Sequence, residues 1–306
     1  MSEVVLSPVQ QRTLDRLKRG TEPVVFDREF VADVRGEMQA ALDHFASRLD
    51  DRTELWISKH KIASVLDCET HYLQPDEFEW TAANAKGTIA HRAIELLVSW
   101  RGDPTPIDLV DEALSRLADE NSGIGLWVAA LSDGDEADVR SQSVDRVTSF
   151  VENFPPLSKR WRPVMEASVR WPNRGPITLA GKVDLLFGQP EGVESRKVII
   201  DLKTGRPHAR HRQDLAFYAL LETLVREIPP RKVATFYLDA ADAHADDVNE
   251  ALLETAMRRT LDAINAIIEL GPEGRAPGLR AGSSCRWCPL RTTCDVGIAH
   301  LAPTDD

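Results

Sequence analysis

No stretch of this sequence is apolar for long enough to span a membrane, and its opening, MSEVVLSPVQ, has neither the basic nor the apolar region of a secretion signal. The expected location is therefore the cytoplasm. Cysteine is scarce, four in 306 residues, and in a reducing compartment that excludes a disulfide framework. Positive charge is also in short supply. The 37 Lys and Arg against 49 Asp and Glu leave a formal net charge of -12, which excludes a protein that coats nucleic acid non-specifically. A nucleic-acid enzyme stays open, because only the field at its site matters. Internal repeats, low-complexity tracts and helicase motifs are absent. What remains is a globular composition, 42% hydrophobic and 28% charged, long enough for one large domain or two small ones.

Residues 1–55 read as a helical N-terminal extension. Phe30, Val31, Val34, Met38, Ala41, Leu42, Phe45 and Leu49 recur at helical steps. Arg12, Arg16, Lys18 and Arg19 make its start basic, as a solvated face before a nucleic-acid surface. Lys59 to Leu66 is a short helix leading to Cys68 and Tyr72. Ala85 to Trp100 is a third helix, with His91 and Glu95 one turn apart on one face. A lone His beside such an apolar stripe is more often a hydrogen-bonded core residue than a ligand. Residues 106–131 and 137–153 continue as helices, separated by Ser132-Asp133-Gly134-Asp135-Glu136, read as a loop.

After Pro155-Pro156 the pattern changes to strands. Val164 to Trp171 alternates, with Glu166 as a candidate inward carboxylate, and Ile177 to Phe187 follows. Then comes Val198-Ile199-Ile200-Asp201-Leu202-Lys203-Thr204-Gly205, a buried strand that ends on a carboxylate and an ammonium pointing to the same side. Charges this close to a core are costly unless they are paired or bind an ion. A turn centred between Gly192 and Val193 makes the last two strands a hairpin and sets Asp184 opposite Asp201. Opposed carboxylates repel, and a divalent cation between them removes the repulsion. Arg206 to Arg212, RPHARHR, is the densest basic run of an acidic chain; it suits phosphate, or simply balances nearby acids. Residues 213–226 form a helix carrying Gln213, Phe217 and Tyr218; Val233 to Leu238 is a strand and Val248 to Leu270 a long amphipathic helix.

Cys285, Cys288 and Cys294 form C-x2-C-x5-C near the C-terminus, with Cys68 alone far upstream. Three cysteines so close are a metal-ligand pattern needing a fourth ligand, for zinc or for an iron–sulfur cluster. Cys68 would clasp the N-terminal helices to the tail, and zinc completed by His300 or His71 also fits the spacing.

Six pieces occur in one order: SVLDCETHYL, GTIAHRAIE, GKVDLLFG, VIIDLKTG, RQDLAFYALLE and CRWCPLRTTC. In these the chain resembles the PD-(D/E)XK nuclease superfamily, and most closely the RecB-family exonucleases that carry an iron–sulfur cluster, such as AddB and the CRISPR-associated cluster-bearing nucleases. The resemblance spans roughly residues 60–295. It implies an α/β fold, a restriction-endonuclease-like central mixed sheet flanked by helices, with a helical N-terminal region and a C-terminal iron–sulfur clasp. Residues 56–306 would then be one nuclease domain closed by Cys68, Cys285, Cys288 and Cys294 around a [4Fe–4S] cluster.

The resemblance further implies that Asp184, Asp201, the Leu202 carbonyl and His91 hold Mg2+ or Mn2+, and that Lys203 orients the attacking water. Gln213 and Tyr218 would position substrate or the lysine, and Arg206, Arg210 and Arg212 would hold the nucleic-acid backbone. The implied activity is metal-dependent hydrolysis of DNA, as an exonuclease on single strands or ends in repair or recombination. The partners would be DNA and a helicase or recombination protein. Two other readings are a scaffold subunit of a helicase–nuclease complex with little cutting of its own, and a zinc-ribbon regulatory protein.

Overall fold

The computed structural model describes residues 5–18, 20–75, 78–120, 123–172 and 174–302. Arg19 of the basic start lies outside them. Two helices lead in, α1 (Pro8–Leu17) and α2 (Arg28–Ala46). A short strand β1 (Leu55–Ile57) then enters α3 (Lys59–Asp67) and the single turn α4 (Glu69–Tyr72). Four helices follow: α5 (Ala82–Ser99), α6 (Pro106–Asp119), α7 (Gly123–Ala129) and α8 (Asp133–Asn153). Strands β2 (Val164–Trp171), β3 (Ile177–Phe187) and β4 (Val198–Lys203) come next. The chain closes with α9 (Ala209–Arg226), β5 (Lys232–Tyr237), β6 (Asp242–Asp247), α10 (Glu250–Leu270) and α11 (Asp295–Leu301). Among the described residues no helix is long and apolar enough to cross a membrane.

The strands form one mixed sheet in the order β1-β3-β4-β5-β6, with β2 on the other edge of β3. Both faces are covered. On one, Ile199 and Val233 pack against α2, α3, α9 and α10. On the other, Val198, Ile200, Leu202 and Phe236 pack against α5, α6 and α8. This two-sided burial is why β4 reads as a continuous apolar run. The stripe Val31, Val34, Met38, Leu42 and Phe45 lays α2 on the first face, in the same apolar cluster as the sheet.

The hairpin register is the one a symmetric turn produces: Leu185 pairs with Ile200, Leu186 with Ile199 and Phe187 with Val198. The ladder stops there, one pair short of Asp184 and Asp201. On that same edge of β3, parallel β1 takes only Ile177 to Leu179. Residues 180–184 therefore face a gap between two partner strands, and β1 runs straight toward it, delivering Ser58 and Lys59.

Four local features differ from the sequence expectation. The acidic segment 132–136 is no loop: Ser132 caps α8, its Oγ accepting from the Asp135 N–H at 3.2 Å, and the acids fill the first turn. Acidic side chains are stabilised there by the helix dipole. The basic run is partly helical, since α9 starts at Ala209 with His208 as its cap. Strand β1 is three residues long, too short to carry a period. Strand β6, Asp242–Asp247, pairs antiparallel to β5 at the sheet edge, where one side stays wet and its aspartates are tolerated.

Met38 is fully buried between α2 and the sheet. Met38→Ala is expected to lower unfolding stability by about 2–5 kcal/mol, read as a shifted urea midpoint.

Candidate active site

The site grows from the place where β3 loses its neighbours. On the β2 edge, Met165 pairs with Leu185 and Ala167 with Val183, but the position between, Glu166 against Asp184, is unpaired. Glu166 adopts φ 51°, a left-handed conformation that costs a non-glycine residue about 1–2 kcal/mol. On the β4 edge the ladder has ended, and the Leu202 N–H donates instead to Asp184 Oδ2 at 2.7 Å. Asp184 thus sits at a fork, its carboxylate occupying a place that backbone would otherwise fill.

His91 reaches this fork from α5, its Nδ1 3.7 Å from Asp184 Oδ1. Glu166 reaches it from β2 while pairing with Lys182. His91, Glu166 and Asp184 each offer a ligand atom within 4.8 Å of the others, the one such group of metal-ligand type among the described residues. Two carboxylates and an imidazole suit Mg2+ or Mn2+, with the imidazole favouring Mn2+. Burial works against the Asp184 charge, but His91, Lys203 and the Leu202 N–H outweigh it and hold its pKa down at about 2. Burial likewise opposes a charge on His91, and the Asp184 carboxylate overcomes it, raising the His91 pKa above 6.5.

Asp201 is not in that trio. It is fully buried, with Lys59 Nζ 3.0 Å from Oδ1 and Lys203 Nζ 2.6 Å from Oδ2. The repulsion expected between Asp184 and Asp201 is thus relieved by separate partners, His91 and a backbone N–H for one and two ammonium groups for the other. Lys203 nevertheless lines the same open cleft as His91, Glu166, Asp184 and Leu202.

Tyr218 lies under this arrangement, its hydroxyl donating to the Lys182 carbonyl at 2.6 Å. Gln213 does not accompany it. Five residues along α9 turn Gln213 away to an exposed position, whereas Asp214, four residues before Tyr218, is buried, 4.0 Å from Lys59 Nζ. Helix geometry puts Asp214 beside the lysine, while Gln213 lines a neighbouring pocket together with Lys59 and Asp214. Burial raises the Asp214 pKa, against the lowering effect of Lys59 and Lys203. Sequence reading also missed Lys59. Its only signal was a lysine directly after a Ser helix cap, at the end of a strand too short to recognise.

Arg206, Arg210 and Arg212 lie at the start of α9 beside β4. Arg206 is exposed, Arg210 approaches Asp67 at 3.6 Å, and Arg212 pairs with Asp246 at 2.9 Å.

Cys68, distant in sequence, lines one pocket with Cys285, Cys288 and Cys294 together with His71, Arg280 and Arg291. None is joined in a disulfide. The Gly282 and Gly297 N–H groups each donate to a sulfur, of Cys285 and Cys294, at 3.4 Å. His300 is not part of that lining. The tail is held against α4 by Arg275, bidentate on Glu69, with the Gly278 N–H donating to the same carboxylate at 2.7 Å. Arg275 and Gly278 lower the Glu69 pKa to about 2.

A helix-flanked mixed sheet that presents clustered acids, an imidazole and a lysine at a strand fork has the architecture of a nuclease. The chain belongs to the PD-(D/E)XK nuclease superfamily, whose family model matches residues 57–295. Among solved structures it is similar to one described as "Putative exonuclease" from Eubacterium rectale, at 11% identity, TM-score 0.45, covering 82% of this chain and 90% of that one. It is also similar to the crystal structure of SSO0001, at 16% identity, TM-score 0.31, covering 72% and 99%. No curated protein matches the sequence.

The Asp184–His91 pair makes a signed prediction for protein without divalent ion. The Asp184 contribution is present above about pH 4 and is lost as pH falls toward 2; the His91 contribution is present below 6.5 and is lost as pH rises through its raised value. Wild type should therefore exceed His91→Gln by up to about 2 kcal/mol between pH 4 and 6.5, shrinking on either side, in urea melts across pH.

Proposed function

We propose that this protein is a divalent-metal-dependent deoxyribonuclease of the RecB-like branch, acting as an exonuclease on single strands or DNA ends in repair or recombination. The observation that carries this reading is the strand fork, where Asp184, His91 and Lys203 meet in one cleft beside Leu202. His91 and Asp184 would hold Mg2+ or Mn2+ with Glu166 from β2, and Asp201 and the Leu202 carbonyl would close the shell from β4. The bound ion supplies Lewis-acid polarisation of the phosphoryl oxygen and a more acidic water. Lys203, partly exposed to the cleft, orients that water and offsets charge developing on the phosphorane oxygens. Tyr218 fixes β3 through its bond to the Lys182 carbonyl, two residues before Asp184.

The start of α9 suits the phosphate backbone. A helix N-terminus presents free N–H groups, and Arg206, Arg210 and Arg212 add charge without reading bases. This local field lets an acidic protein bind DNA.

The four cysteines, which line one pocket, would hold the [4Fe–4S] cluster that the family resemblance implies. The N–H groups directed at Cys285 and Cys294 favour thiolates there. The role is structural: the cluster, with the Glu69–Arg275 contact, ties the tail to α3 and α4, and α3 carries Lys59.

Digestion of end-labelled single- and double-stranded DNA tests the reading. Cutting should require Mn2+ or Mg2+, stop in EDTA, and fall by about a thousandfold or more in Lys203→Ala and Asp184→Ala, with folding retained. Activity unchanged in Asp184→Ala would remove the site assignment. Protein purified without oxygen should be brown and carry about four irons per chain. Cys285→Ser should lose colour and melting temperature together; loss of colour at an unchanged melting temperature contradicts the structural role.

A further inference from the structure

Two lysines, not one, meet Asp201. Lys203 comes from the same strand; Lys59 comes from the first turn of α3, carried into the gap along β3 by β1. We infer that Lys59 is a positioning residue of the hydrolytic site, which holds Asp201 in place and limits how strongly the site binds its cation, so that Lys203 can turn to the water. The inference rests on the proposed metal-dependent cutting and adds a residue to it.

The surroundings of Lys59 are built to hold it. Its Nζ lies 4.6 Å from the centre of the Tyr218 ring, over a face that attracts cations. Asp214 stands 4.0 Å away on the far side. The ring is fixed from below by its hydroxyl bond to Lys182. It also leans on Gly181, where a Cβ would come within 2.5 Å of the ring; only glycine allows that approach. Gly181, Tyr218, Asp214 and Lys59 thus form one packed set that ends on Asp201 Oδ1.

The consequence is a division of labour. Each Asp201 oxygen faces one ammonium group. A cation drawn to Asp201 competes with both, and Lys203, which lines the cleft with Asp184 and His91, is the one placed to turn toward substrate. Lys59, over the Tyr218 ring and facing Asp214, does not line that cleft and keeps the carboxylate oriented while Lys203 moves to the substrate side.

The test compares wild type, Lys59→Gln and Lys59→Arg in full-length, cluster-loaded protein. Mn2+ affinity is measured by calorimetry without DNA, and single-turnover cutting at saturating Mn2+. Loss of the positive charge in Lys59→Gln should tighten Mn2+ binding by about tenfold. Misplacement of Asp201 should slow cutting by about tenfold or more. Lys59→Arg, which keeps the charge, should return Mn2+ affinity close to wild type and recover part of the rate. A folded Lys59→Gln with unchanged Mn2+ affinity and unchanged rate overturns the inference, as does a lower melting temperature with no tightening. A wild type that binds no Mn2+ and cuts no DNA is a different result, and it overturns the proposed function along with this one.

Discussion

A fully buried carboxylate cannot be left uncompensated, and Asp201 is such a group at the end of the central strand. Unpaired, it would cost several kcal/mol. Lys203 supplies one counter-charge from two residues along the same strand. The other has to come from elsewhere in the chain, and much of the architecture serves to deliver it. Strand β1 borders β3 for three residues and stops; α3 begins; Lys59 enters the gap. The same gap frees Asp184 from the ladder and leaves it to His91 and the Leu202 N–H. The two acids that a regular hairpin would oppose thereby have separate partners, Asp184 lining the cleft and Asp201 buried behind it.

The far end of the chain bears on the same point. Helix α3 carries Lys59 at its start and leads to Cys68 at its end. The Glu69–Arg275 contact and the bonds from Thr70 to the Gly278 carbonyl seat the tail against this segment. Under the proposed cluster, a tail of about twenty residues anchors the helix that compensates Asp201. Damage to the cysteines would then reach the fork through the position of α3 rather than through electron transfer.

The long elements were legible because burial wrote a period into them. Helices α2, α5 and α10 show it at three and four residues, and β4 shows the unbroken run of a strand covered on both faces. The hairpin register was legible too, since Leu185 meets Ile200 where a symmetric turn puts it. What escaped is short or depends on contact between remote segments. Three residues of β1 have no period. The aspartates of β6 give no strand signal, although an edge strand tolerates them. Lys59 is one lysine among many until β1 carries it to the fork. Gln213 came from the family resemblance, and the turn of α9 adds buried Asp214 beside Lys59, which sequence reading had passed over. The ordered motifs pointed to the superfamily, and the family match over residues 57–295 agrees.

The central claim is that the fork is built around a divalent cation. The direct measurement is an anomalous difference map from crystals soaked in Mn2+. The account predicts a single strong peak at the fork, in contact with the Asp184 carboxylate and the His91 ring, with Asp201 shifted off Lys203 toward it. An empty fork, with Mn2+ bound only at surface acids, would contradict it.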